Sequence, residues 1–153
     1  MQSIGVKEAQ AKTIFILPTA PKGHYFLNDD HCLSPVSVAD IIVQDGNHWR
    51  KILTIMAKLS IKQGDWRHYR DELLLNQYER IEFALPRYFN KDVMYFVCGK
   101  EMQSALDEEF QTITYLNEKH TLGVYKNVVL CPYLDYRQYS NKDIDVTRLY
   151  LQS

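Results

Sequence analysis

Long apolar runs, paired cysteines and a large excess of charge of either sign are all missing from this chain of 153 residues. No stretch of 18 or more apolar residues occurs, so no segment reads as a membrane-spanning helix. Residues 1–12 carry Lys7, Glu8 and Lys12 where a secretory signal would be apolar, and a cytoplasmic protein is expected. The three cysteines, Cys32, Cys98 and Cys131, are far apart, odd in number and without Cys-x-x-Cys spacing. They read as thiols in a reducing compartment, not as a disulfide framework. Zinc held by Cys98, Cys131 and a histidine would need a convergence that the spacing does not supply; buried free cysteine is the plainer reading. The formal net charge of −1 exerts no global pull on nucleic acid or an anionic membrane, so such binding would need a local basic patch.

Sequence motifs are equally sparse. There is no Gly-x-x-x-x-Gly-Lys-Ser/Thr and no Gly-x-Gly-x-x-Gly, so neither a P-loop nor a dinucleotide-binding fingerprint is supported. No Gly-x-Ser-x-Gly elbow is present, and no cysteine lies beside a histidine in sequence, which leaves nucleophilic hydrolysis unsupported. No cofactor is implied. Internal repeats and low-complexity segments are also absent.

What is present is a set of three short apolar runs, each ending in polar and aromatic residues. Thr13–Leu17 leads into Pro18-Thr-Ala-Pro-Lys-Gly-His-Tyr25; Val93–Val97 leads into Cys98-Gly-Lys100; Val128–Leu130 leads into Cys131-Pro-Tyr-Leu-Asp-Tyr-Arg137. Runs of this type suit strands covered on both faces. If all three are parallel neighbours, their polar ends meet at the carboxyl edge of the sheet, where open α/β sheets bind ligands.

Between the runs, helical spacing dominates. Ser34-Pro35 reads as the start of a short helix through Val43. Trp49, Ile52, Leu53, Met56 and Leu59 form one stripe of an amphipathic helix over 47–62, capped by Asp45 or Asn47. Gly64 ends it, and Asp65 caps a second helix whose stripe of Trp66, Tyr69, Leu73 and Ile81 runs to Leu85. Both tryptophans read as core anchors in preference to base-stacking platforms. A further helix is expected from Lys100 to Lys119 on Met102, Ala105, Leu106, Phe110, Ile113 and Leu116, completing a βαβ unit with the third run. A last helix is expected over 141–151, with a strand as the alternative on Val146 and Thr147. Residues 1–11 are polar and small and are expected to be ordered only if something docks them. One α/β domain over 1–153 follows: a three-layer sandwich with a small, mainly parallel central sheet.

Candidate ligand-binding residues lie after each strand. After the first, Thr19, Lys22, His24, Tyr25, Asp29, Asp30 and His31 offer a histidine near carboxylates, suited to general-base work, or a solvated loop. Asp29, Asp30 and His31 do not complete a metal set. After the second, Gly99-Lys100 at a helix start offers backbone N–H donors and a cation. After the third, Tyr133, Asp135 and Arg137 suit a planar or anionic ligand or a partner interface; the alternative is that the tyrosines plug the sheet edge and Asp135 pairs with Arg137 or caps a turn. A basic surface from Arg50, Lys51, Lys58 and Lys62 is the patch that nucleic acid would require.

The order of these elements, a strand and polar loop, then helices, then a βαβ unit ending in a proline turn, resembles the uracil-DNA glycosylase superfamily over residues 13–140. The resemblance implies a water-positioning acidic or amide residue after the first strand and a His-Pro-Ser turn after the last. Here Leu17-Pro-Thr-Ala-Pro-Lys-Gly-His-Tyr25 and Cys131-Pro-Tyr133 stand at those places, and only the proline agrees. It thus implies a shared fold with a site repurposed for another ligand. The function expected is a small-molecule or nucleotide-binding domain, with a base-binding, glycosylase-like protein or a protein-interaction module as the alternatives; whether the chain is an enzyme, and its oligomeric state, are not legible.

Overall fold

The computed structural model describes all of residues 1–153. In chain order the elements are β1 (Ser3–Gly5), β2 (Thr13–Ile16), β3 (Cys32–Leu33), α1 (Val38–Asp45), α2 (Asn47–Ser60), α3 (Trp66–His68), β4 (Glu79–Glu82), β5 (Met94–Cys98), α4 (Lys100–Gln103), β6 (Thr114–Tyr115), β7 (Gly123–Tyr125), β8 (Val128–Cys131) and α5 (Asn141–Gln152). A π-helical turn over Tyr69–Leu73 follows α3 directly.

The three apolar runs become β2, β5 and β8, side by side and parallel, with Phe15 opposite Phe96 and Phe96 opposite Val129. They belong to an eight-stranded sheet of order β3-β1-β4-β2-β5-β8-β7-β6. The fold is therefore α/β, but the sheet is larger than expected and mixed. Only the inner quartet β4, β2, β5 and β8 is uniformly parallel; β1, β7 and β6 pair antiparallel to β4, β8 and β7. The added strands are short segments such as Ser3-Ile-Gly5 and Thr114-Tyr115, with no apolar run to announce them.

Alternation along the three inner strands sorts their side chains to two faces. Phe15, Leu17, Phe96, Cys98, Val129 and Cys131 pack with Trp49, Ile52, Leu53, Met56 and Ile144 of α2 and α5. Ile14, Ile16, Tyr95, Val97, Val128 and Leu130 pack with Phe110, Met102, Leu106 and Phe89 from short turns and loops. Phe15 stacks on Phe96 at 4.8 Å between ring centres, an aromatic pair at the centre of the helix-covered face.

Four expectations are corrected. Residues 1–11 are not a loose tail: β1 is a sheet strand, and Ile4 is fully buried. The second helix does not run to Leu85. After the π turn, Leu75 takes φ 69°, its N–H donates to the Glu79 carboxylate at 3.0 Å, and Asn76 exchanges hydrogen bonds of 2.8 Å with Val36, so tertiary bonds end the helix and Glu79–Glu82 enters the sheet. The Lys100–Lys119 helix stops at Gln103, whose amide donates to the carbonyls of Val97 and Cys131 at the strand ends. The β6–β7 hairpin follows, its turn held by Asn117 Oδ1 accepting from the Thr121 and Leu122 N–H groups. The connection from β5 to β8 is thus not a single crossover helix. Finally, Trp66 is not a core anchor. It is half-buried, while Trp49 is 4% exposed.

The amphipathic helix and the last helix form as read, α2 over Asn47–Ser60 and α5 over Asn141–Gln152. Ser37 and Ser140 accept from the N–H groups of Asp40 and Asp143 and cap α1 and α5, and Asp65 caps α3. No side chain caps α2, which begins after Gly46 at φ 78°.

Candidate functional site

β2, β5 and β8 end side by side, so their exits share one edge of the molecule. The first exit folds back on α1. Asp45, the last residue of α1, accepts from the N–H groups of Lys22 at 2.6 Å and Gly23 at 3.0 Å and from the Tyr25 hydroxyl, and Gln44 accepts from the His24 N–H at 2.8 Å. Burial pushes the Asp45 carboxyl up, but the Tyr25 and backbone hydrogen bonds and the Lys22 charge outweigh it, and the carboxyl titrates below its ordinary range. Tyr25 is pushed well above the ordinary phenol range by burial first and by Asp45 second. This is a latch. A Cβ on Gly23 would stand 2.8 Å from Asp45, Gln44 and Tyr25 side-chain oxygens, so a larger residue would push aside the side chains that form the latch.

The other two exits meet through Tyr133. Its hydroxyl lies 3.0 Å from His48 Nε2, and the two rings are nearly parallel at 5.7 Å. Its side chain also covers Gly99, whose notional Cβ would be 3.7 Å from the ring. Tyr133 therefore touches the first turn of α2 and the residue that opens α4. Gly99 has φ 90°, a conformation that favours glycine and aims the strand exit into the helix. Lys100, one residue on, is exposed and has no ion-pair partner within 4.0 Å. Burial pushes the Tyr133 hydroxyl up, with the nearby Cys98 thiol and Asp135 adding to it.

Beneath Tyr133, Cys98 and Cys131 face each other in register with their sulfur atoms 3.7 Å apart, both fully buried. Burial and the contact with Cys131 raise the Cys98 thiol well above its ordinary value, so it stays protonated at neutral pH. No group of three or more His, Cys, Asp or Glu residues converges anywhere at metal-binding distance.

Of the seven residues singled out from sequence, Tyr133 and Lys100 flank the junction just described. Asp135 Oδ1 accepts from the Arg137 N–H at 3.0 Å and caps a turn, while the Arg137 side chain is exposed and unpaired. Thr19 is exposed and makes no side-chain hydrogen bond. His24 and Tyr25 share a cavity of about 310 Å³ with Phe26, Pro35 and Asp40. Lys100, Asp135 and Arg137 line neither that cavity nor four others of 460, 490, 330 and 200 Å³, so His24 joins them in none of these five. The basic residues of α2 are spread as well. Arg50 bonds Asn47 in the first turn, and Lys58 lies about 12 Å further along the axis.

Asp45 and His48 were missed as site residues. Asp45 had been read only as a helix cap, and His48 carries no local signal. The Asp45-Gly46-Asn47-His48 turn ahead of an amphipathic stripe marks a helix start; only the long-range approach of Tyr133 makes it part of a site.

The chain belongs to a family described as a family of unknown function (DUF6942), whose model matches residues 4–152. No curated protein and no solved structure matches it.

Proposed function

We propose that this member of the family is a binding domain for a small anionic and planar molecule of the nucleotide class, held at the carboxyl edge of β5 and β8. The observation that carries the reading is Tyr133, which joins the uncapped first turn of α2 through His48 to the Gly99-Lys100 exit. An uncapped helix start presents N–H donors and the positive end of the helix dipole, and favours an anion. Lys100 supplies a free cation and the exposed His48 ring a stacking surface. The Cys98 and Cys131 side chains below are fully buried, so this polar edge rests on an apolar layer of the sheet.

The test is calorimetric titration with ADP, AMP and inorganic phosphate at low salt. ADP is expected to bind, and His48→Ala and Lys100→Ala each to weaken it by roughly tenfold, the worth of one lost contact to a charged group. Unchanged ADP affinity in both variants, or no binding by the wild type, overturns the proposal. A titration with uracil-containing single-stranded DNA addresses the glycosylase-like alternative. That reading predicts preference for the DNA over ADP.

A further inference from the structure

The opposite end of α2 carries a second arrangement, independent of the carboxyl edge. Two cavities adjoin there, of about 490 and 330 Å³, sharing Ile61 and Arg148 in their walls. The larger is floored by Met94 and Phe96 and walled by Leu59 and Leu151. The smaller is lined by Lys58, Trp66, Asn141 and Asp145. One half is apolar and the other holds cations and an indole, with Asp145 as the one carboxylate in its wall.

The cations here lack acidic partners. Lys58 Nζ sits 4.9 Å from the Trp66 ring centre and 5.0 Å from that of Tyr136, and Arg67 lies 4.5 Å over the same indole. Neither has a carboxylate within 4.0 Å; the only ion pairs of the chain are Arg70–Asp71 and Arg80–Glu82. Asp145 lines the smaller cavity but pairs with neither, and cations held close together without a paired carboxylate repel one another, which an arriving anion relieves. The other cation at the seam, Arg148, is already committed, donating to the carbonyls of Lys58, Ile61 and Lys62 at the end of α2.

A second observation lies in the wall of the larger cavity. Ser60 Oγ is buried without a hydrogen-bond partner, the one such side-chain atom in the protein, and Ser60 lines that cavity beside Lys62. Buried hydroxyls are nearly always paired; Ser60 Oγ has almost no accessible surface of its own, so it meets an acceptor in the cavity only when the wall around it yields to a ligand.

We infer that this groove binds an amphipathic anion, a carboxylate-headed molecule whose apolar body fills the cavity over Met94 and Phe96. Its head accepts from Ser60 Oγ and faces Lys58 and Lys62. A purely polar anion leaves the apolar half empty, and a neutral chain leaves the cations uncompensated.

The experiment titrates the wild-type protein with decanoate below its micellar concentration, with 1-decanol and with inorganic phosphate, following heat and tryptophan emission together. Decanoate is expected to saturate a single site, with decanol and phosphate each at least tenfold weaker. Ser60→Ala is expected to weaken decanoate several-fold without lowering the thermal midpoint, and Lys58→Met to weaken it several-fold. Trp66→Phe is expected to abolish the emission change while binding heat persists. Decanol equal to decanoate removes the charge argument, and phosphate equal to decanoate removes the apolar one. An emission change that survives Trp66→Phe reports the core residue Trp49 and unspecific loosening. Any of these three results, or decanoate affinity unmoved in Ser60→Ala, overturns the inference.

Discussion

Replacing Gly5 by alanine tests the part of the fold that the sequence hid best. Gly5 ends β1 at φ 115°, and a Cβ there would stand 2.5 Å from the Glu79 carbonyl oxygen and 3.1 Å from Arg80 Cα. Both atoms are backbone of the neighbouring strand β4, so neither can rotate away. Two costs follow. Holding alanine in a glycine-only region costs about 1–3 kcal/mol, and forcing the two strands apart costs about 1–3 kcal/mol more. The sum is about 2–6 kcal/mol, which lowers the thermal midpoint by roughly 2–4 °C per kcal/mol in a chain of this length. Gly46→Ala is the control. It has φ 78° but nothing within 4 Å of the added carbon, so it carries the conformational cost alone. Urea titration of both variants with one slope gives the difference. If Gly5→Ala falls within about 0.5 kcal/mol of wild type, as an ordinary surface substitution does, then residues 1–11 are the loose tail that their composition suggests and β1 does not belong to the sheet.

Trp49→Ala is expected to cost about 3–5 kcal/mol by chemical denaturation, since it empties a core position, whereas Trp66→Ala costs about 1–2 kcal/mol in lost cation–ring contacts and partial burial; equal losses would put Trp66 in the core. Ser60→Ala is expected to leave stability unchanged or raise it by up to about 1 kcal/mol, because it removes a buried hydroxyl that bonds nothing, and a clear loss would mean the hydroxyl has a partner inside the protein. The Asp45 latch sets an acid response: its folded pKa is depressed, so its stabilisation is complete above the unfolded value near 4 and is lost as pH falls through the lower folded value. Asp45→Asn should remove that step from the stability curve below about pH 4, and a curve that keeps it assigns the step to another carboxylate.

The sequence showed what local pattern encodes and concealed what distant contacts decide. Continuous apolar runs are rare enough that β2, β5 and β8 stood out, and the stripe from Trp49 to Leu59 admits only a helix. Glu79-Arg-Ile-Glu82 looked helical because Ile81 continues the spacing of Trp66, Tyr69 and Leu73. Its strand state depends on Gly5 and Thr13 arriving on either side, and the preceding break depends on Val36 receiving Asn76. Lys100–Lys119 has good helical spacing, yet Gln103 gives its amide to two strand-end carbonyls and the hairpin wins. The polar segments that follow β2, β5 and β8 leave the sheet at one edge, and Tyr133 lies there. What could not be read was their partner, since His48 lies 85 residues from Tyr133 in the chain.

The two proposed sites share α2, and the electrostatics of its ends bias both toward anions. The helix is 14 residues, about 21 Å long. Its positive end, after Gly46, has no side-chain acceptor to satisfy it, so the field there is left for a ligand or for water. Its negative end would ordinarily repel an anion. Here Arg148 reaches across from α5 and donates to the carbonyls of Lys58, Ile61 and Lys62, which cancels much of that field inside the groove. Lys58, Lys62 and Arg67 then act on the groove without opposition from the helix that carries the first of them. Removing Arg148 therefore uncovers three carbonyls as well as deleting one charge, and Arg148→Met should weaken decanoate more than Lys62→Met does, although Arg148 offers the ligand no free donor pair. Equal effects of the two variants would mean that the groove responds to the number of cations alone and that the end of α2 contributes nothing.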